Sequence, residues 1–254
     1  MTALQGIGTR LRLAKLLLIT DERRESNDLA DFADAALSGG VDLVQLRDGK
    51  GSRRDQLASL ETLRTVAHRY QGLVSVYADT ELAREFETDV LHLPTGVNAG
   101  RARRFLHPFA VMGRSCGSPE QIDAALADPD VAYLTVGPVL DGFTFLGHAP
   151  GLALVRHAAE RAPVGEKSSK PWFAVGGITL ANLDEVIDAG ARRIAVGRAI
   201  THAPDPAEAA AVFKTRLREA WDADPAMERV VFDAFKNPGP FRTSDPLPDG
   251  GPRV

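Results

Sequence analysis

The stretch Trp172-Phe-Ala-Val-Gly-Gly-Ile-Thr-Leu180 decides how this chain folds. A short apolar run ends abruptly in two glycines and gives way to helix-forming sequence. The pattern returns in Ile194-Ala-Val-Gly-Arg-Ala-Ile200. Two successive strand–glycine–helix units set backbone N–H groups and a helix N-terminus side by side, an arrangement that holds a phosphate without a charged side chain. Glycine at these points also lets strands pack closely against their helices. Two such turns in succession favour the phosphate reading.

Working outward, strand and helix patterns alternate along the chain. Strands are predicted at Leu16–Thr20, Asp42–Arg47, Leu73–Tyr77, Val90–Leu93, Phe109–Gly113, Val131–Val136, Trp172–Val175 and Arg193–Val196. Helices are predicted at Asp28–Leu37, Arg54–Tyr70, Glu81–Phe86, Ala99–Leu106, Ser118–Ala127, Leu152–Arg161, Asn182–Ala189 and Pro206–Trp221. Eight strands with eight helices predict a (β/α)8 TIM barrel of the α/β class, in one domain. No G-x-G-x-x-G follows the first strand, which counts against a doubly wound sheet. The glycine turns then follow strands seven and eight, the usual phosphate position in such barrels. The expected organisation is an N-terminal extension over 1–15 and a barrel over 16–221. A Pro/Gly-rich tail over 222–254 is expected to be partly disordered, although Val230-Val-Phe-Asp-Ala-Phe235 could dock on the barrel.

Composition excludes several classes. A chain of 254 residues with 44% hydrophobic and 25% charged residues reads as a globular protein with a full core. A net charge of −4 without a dense Lys/Arg stripe argues against nucleic acid or an acidic membrane as partner. The apolar run Leu16–Ile19 is too short to span a bilayer, and the N-terminus does not read as a signal peptide. The single cysteine, Cys116, excludes an intramolecular disulfide framework. The expected location is the cytoplasm.

The strand ends and the loops after them carry chemistry in such barrels. There the chain reads Leu18-Ile-Thr-Asp21, Gly39-Gly-Val-Asp-Leu-Val-Gln-Leu-Arg-Asp48, Val90-Leu-His-Leu93, Gly113-Arg-Ser115, Val136-Gly-Pro138, Ala174-Val-Gly-Gly-Ile178 and Ala189-Gly-Ala-Arg-Arg-Ile-Ala-Val196. In order and spacing, from about Leu16 to Ala220, this resembles the thiamine phosphate synthase and thiazole tautomerase family. The resemblance implies a barrel that binds a phosphorylated thiazole. In the synthase, the thiazole nitrogen attacks an aminopyrimidine-methyl cation formed as magnesium-bound pyrophosphate departs.

The resemblance also assigns residues. Gly176, Gly177, Gly197 and Arg198 would hold the phosphate. Gln45 and Arg47, two apart and so on one strand face, would meet the pyrimidine and pyrophosphate side; the alternative is a polar plug at the barrel top. Ser115 and Thr144 would join them as catalytic residues. Lys50 resembles the family's pyrophosphate lysine, with Gly49 inserted before it, and a solvated lysine is the alternative.

The metal and pyrophosphate half departs from the pattern. The synthase carries Asn-Asp-Arg after strand three, where this chain has Tyr77-Ala78-Asp79, so Ala78 stands at the magnesium carboxylate. The synthase's Gly-Gln-x-Asp after strand four is Pro94-Thr-Gly-Val-Asn98, and its Thr-x-Thr-Lys after strand six is Gly142-Phe-Thr-Phe145. The tautomerase subgroup is matched by Leu93-Pro-Thr-Gly96, but its proton-shuttling histidine is Gly117. Cys116 and His148 are alternative shuttles, each more readily read as an inert thiol and a loop histidine.

The chain thus reads as a synthase-like barrel that takes thiazole phosphate or thiamine phosphate, without ordinary synthase turnover. An active synthase and a thiazole tautomerase-like enzyme are the alternatives. No metal site is expected, and Mg2+ enters only if synthase activity is retained. The family implies a homodimer.

Overall fold

A computed structural model describes residues 6–47, 51–140 and 151–236. Eight parallel strands close into a barrel in sequence order: β1 (Leu16–Thr20), β2 (Leu43–Leu46), β3 (Leu73–Tyr77), β4 (Val90–Leu93), β5 (Val111–Cys116), β6 (Tyr133–Val136), β7 (Trp172–Val175) and β8 (Ile194–Val196). The last pairs back onto the first, Leu17 opposite Ala195. The (β/α)8 fold expected from the sequence is the fold observed.

Helices follow the strands: α2 (Leu29–Ser38), α3 (Arg53–Arg69), α4 (Thr80–Glu85), α5 (Ala99–Arg103), α6 (Pro119–Ala127), α7 (Leu152–Arg161), α8 (Leu183–Asp188), α9 (Arg198–Thr201) and α10 (Pro206–Asp222). Their starts are legible locally. Ser52, Asp79, Asn98, Ser118 and Asp205 each cap a helix by accepting a backbone N–H.

Period-two alternation sorts the strand residues into two cores. Outward side chains such as Leu16, Leu18, Val44, Val76, Leu91, Met112, Leu134 and Trp172 pack under the helices. Inward ones, Leu17, Leu43, Leu73, Val90, Val111, Tyr133, Phe173 and Ala195, fill the barrel's lower half. Two residues further along the same faces stand Gln45, Ser75, His92 and Thr135, all buried. The barrel is therefore apolar at its floor and polar toward its C-terminal mouth.

Beyond the eight pairs the structure adds the short α9 between β8 and α10, and also α1 (Ile7–Leu13) and α11 (Ala226–Lys236). α1 closes the floor: Leu11 and Ala14 join the inner core. α11 packs against α1, and the buried Thr9 hydroxyl donates to the Ala234 carbonyl at 2.8 Å. Met227 and Val230 cover Trp221. The Val230–Phe235 stretch, whose docking the sequence left open, lies on this helix. Strand β5 begins two residues later than expected and runs to Cys116, because pairing with both β4 and β6 carries it upward. Phe109, expected to open it, is exposed. Among the described residues no helix is long and apolar enough to cross a membrane.

Candidate active site

The glycine turns lie side by side at the mouth. Gly176 and Gly177 follow β7 with φ of 104° and 68°, a region L side chains rarely adopt. A Cβ on Gly176 would stand 2.6 Å from the Pro138 Cα. Asn182 locks the turn: its Oδ1 accepts from the Thr179 N–H at 2.8 Å, and its Nδ2 donates to the Gly177 carbonyl at 2.9 Å. Gly197 follows β8 and precedes α9, which exposed Arg198 opens. The N–H groups of Gly177, Ile178 and Ala199 have no hydrogen-bond acceptor among the described residues. Donors left open around a short helix start make an electropositive seat of neutral groups.

Across the mouth, Gln45 is 2% exposed and its Oε1 has no hydrogen-bond partner among the described residues. A buried acceptor without a donor is costly, typically about 1–3 kcal/mol, unless a ligand supplies the N–H. Arg47 is exposed and its guanidinium carbon lies 4.5 Å from the centre of the Tyr77 ring.

Beneath them runs a hydrogen-bonded core. His92 Nε2 lies 3.0 Å from Ser115 Oγ and 3.1 Å from Thr135 Oγ1, and its Nδ1 lies 3.0 Å from the Tyr133 hydroxyl. Burial, with Arg47 and Arg114 nearby, lowers the His92 pKa to about 3, so the ring is neutral. A neutral imidazole donates at one nitrogen and accepts at the other, which fixes the hydroxyls on its two sides in complementary roles. Ser115 is thereby tied into the barrel interior. Tyr133 and Thr135 are the members the sequence reading missed. Each lies on β6 at the inward parity, and only the pairing of β4, β5 and β6 brings them to His92.

The end where the family pattern puts magnesium holds different groups, as the sequence shows at Ala78. Ala78 has φ 63° and no donor side chain. Asp79 caps α4 through the Leu82 N–H at 2.8 Å and pairs with Arg53 at 3.1 Å. After β4, the Thr95 hydroxyl donates to the Ser115 carbonyl and Asn98 caps α5. A magnesium site commonly takes one or two carboxylates with the substrate's phosphates. This donor set does not fit such an ion, and no cluster of three potential metal ligands occurs among the described residues. Cys116 is buried, and burial pushes its thiol up to about 12, which leaves it protonated and unreactive. Lys50, Thr144 and His148 lie outside the described residues.

With this geometry in hand, comparison identifies the relatives. A family model described as thiamine monophosphate synthase matches residues 16–200. A protein of Mycobacterium bovis named thiamine-phosphate synthase is 47% identical over 224 residues, covering 84% of this chain and 98% of the relative. One of Saccharopolyspora erythraea with the same name is 45% identical over 226 residues, covering 85% and 100%. Among solved structures, a thiamine phosphate pyrophosphorylase from Pyrococcus furiosus superposes with a TM-score of 0.70 at 26% identity, covering 83% of this chain and 98% of that one. The chain belongs to the thiamine monophosphate synthase family of thiamine biosynthesis.

Proposed function

We propose that the barrel mouth binds a phosphorylated thiazole, as thiazole phosphate or thiamine phosphate, and that ordinary synthase turnover is not its activity. The observation that carries this is the contrast between the two sides of the mouth. The Gly176–Gly177 and Gly197 turns present N–H groups without an acceptor among the described residues. These donors suit a phosphate, and the Arg198 guanidinium can supply a further contact. On the other side, the Gln45 Oε1, without a partner among the described residues, calls for an N–H donor, such as the exocyclic amine of an aminopyrimidine. Departure of pyrophosphate would require its growing charge to be neutralised. Ala78 supplies no ligand, and the Asp79 carboxylate is already committed to Arg53 and the α4 N-terminus.

A second reading, an active synthase joining hydroxymethylpyrimidine pyrophosphate to thiazole phosphate, is favoured by the 47% identity to proteins of that name. One measurement tests the phosphate seat that both readings share, and a second separates them. Millimolar thiazole phosphate or inorganic phosphate should raise the melting temperature; an unchanged value rejects the phosphate seat. Incubation with hydroxymethylpyrimidine pyrophosphate, thiazole phosphate and magnesium should yield no thiamine phosphate above background. Robust formation would establish the second reading.

A further inference from the structure

Tyr77 stands on the inner face of β3, at the level of the mouth, and is the middle member of a stack. The Arg47 guanidinium carbon lies 4.5 Å from its ring centre. His92 is stacked with it at 6.1 Å between centroids and 15° between planes. The series continues downward through Tyr133, 5.4 Å from His92, and Phe173, 5.9 Å from Tyr133. His92 is held on both ring nitrogens, so the layer below Tyr77 is fixed before any ligand arrives. A guanidinium over a phenol ring gains cation–π attraction, and its delocalised charge suits stacking with a further ring better than an ammonium would.

The surroundings suit an aromatic ring better than a polyanion. Arg53, at the start of the helix that precedes β3, is paired with Asp79 at 3.1 Å and lies within 3.9 Å of Glu81 and Glu85. Arg114 donates to the Val97 carbonyl and lies 3.8 Å from Asp128. A pyrophosphate placed here would meet an arginine already outnumbered by three carboxylates, and no metal ligand at Ala78.

We propose that Tyr77 determines ligand specificity: it holds the Arg47 guanidinium over its ring as a seat for an aromatic ring, so the mouth selects thiamine phosphate, ring and phosphate in one molecule, over pyrophosphate. This rests on the phosphate reading above and adds the second half of the ligand to it. The pyrimidine stacks on the Arg47–Tyr77 pair while the phosphate occupies the glycine turns, and a preformed platform limits the ordering cost of binding.

Calorimetric titration of the full chain tests it, with thiamine phosphate, thiazole phosphate and inorganic pyrophosphate, each with magnesium and with EDTA. Thiamine phosphate should bind about tenfold tighter than thiazole phosphate, the gain expected of one stacked ring. Pyrophosphate should neither bind nor compete. Tyr77→Leu should lower thiamine phosphate affinity to the thiazole phosphate level and leave thiazole phosphate unchanged. Tyr77→Phe, which keeps the ring, should retain the tight binding, and Tyr77→Leu in an Arg47→Ala background should cost nothing more. Equal affinities of the unmodified chain for the two phosphates overturn the proposal, as does a Tyr77→Leu variant that binds thiamine phosphate normally. A chain that binds neither phosphate overturns the phosphate reading itself and this proposal with it. Loss of thiazole phosphate binding in Tyr77→Leu would mark a general structural role and overturn the specificity assignment alone.

Discussion

His92 Nδ1 lies 3.0 Å from the Tyr133 hydroxyl, and both side chains are buried in the barrel. Protonating this imidazole inside the barrel is unfavourable, since burial and then Arg47 and Arg114 lower its pKa from 6.5 to about 3. The folded value lies below the unfolded one, so between these pH values the unfolded chain carries the extra proton. Stability therefore rises with pH through this window and is lost as pH falls, at up to about 1.4 kcal/mol per pH unit for one such group. Asp28 and Asp123, whose hydrogen bonds from Arg23 and Arg161 lower their pKa values, act with the same sign but below their ordinary value of 3.8. Urea denaturation at pH 7 and pH 5 should show a larger loss in the unmodified chain than in His92→Gln. Equal losses would remove His92 from the account.

The two glycine turns should separate fold from ligand. At Gly176, φ is 104° and an added Cβ would meet the Pro138 Cα at 2.6 Å. Gly176→Ala should cost at least about 1–3 kcal/mol in stability through backbone strain, with further loss from the clash. At Gly197, φ is −119° and the added Cβ would lie 3.4 Å from the Ile19 carbonyl oxygen, ordinary contact. Gly197→Ala should be the milder change for the fold, yet weaken inorganic phosphate binding by narrowing the seat. Thermal melts with a phosphate titration check both. Unchanged phosphate affinity in Gly197→Ala would take that turn out of the seat.

The sequence was most legible where one local rule acts alone. Period two put Gln45 and Arg47 on one strand face, and the abrupt apolar-to-glycine changes at Val175 and Val196 marked the ends of β7 and β8. It was least legible where the determinant is a neighbour distant in sequence. The seven-residue helix α1 is too short to be stable by propensity alone and exists because Leu11 fills the barrel floor. The extent of β5 is set by β4 and β6. The contacts of His92 span three strands, and Tyr133 carries no sign of them in its own segment. Tyr77 stands in a segment that departs from the family pattern, but its position between Arg47 and His92 is set by the closed barrel.

The helix α11 is part of the folded unit. Met227 is 1% exposed and packs on Trp221, whose ring also lies 3.9 Å from Lys15 Nζ and 4.9 Å from the Arg193 guanidinium carbon. Met227→Ala should cost about 2–5 kcal/mol, the usual range for emptying a packed core position. Thr9→Val, which removes the hydroxyl bonded to the Ala234 carbonyl, should cost about 1–3 kcal/mol. Both can be read as denaturant midpoints at constant m-value. A Met227→Ala midpoint equal to that of the unmodified chain would mean that α11 contributes nothing to the cooperative fold.

Asp79 is the residue on which the metal question turns, because it is the carboxylate nearest in sequence to Ala78. Its Oδ1 accepts the Leu82 N–H at 2.8 Å, and its Oδ2 accepts from Arg53 at 3.1 Å. Loss of an N-cap typically costs about 0.5–2 kcal/mol, whereas a half-exposed ion pair adds at most about 1 kcal/mol. Asp79→Ala should therefore lower stability by roughly 1 kcal/mol while the thiazole phosphate affinity stays the same, with magnesium or with EDTA. Asp79→Asn, whose side-chain oxygen can still cap the helix, should recover most of that stability. A magnesium ligand would give the opposite pattern: a small effect on the fold, and a magnesium-dependent gain in ligand affinity that disappears in both variants. Observing that pattern would place the cation at Asp79 and restore the case for synthase chemistry at this mouth.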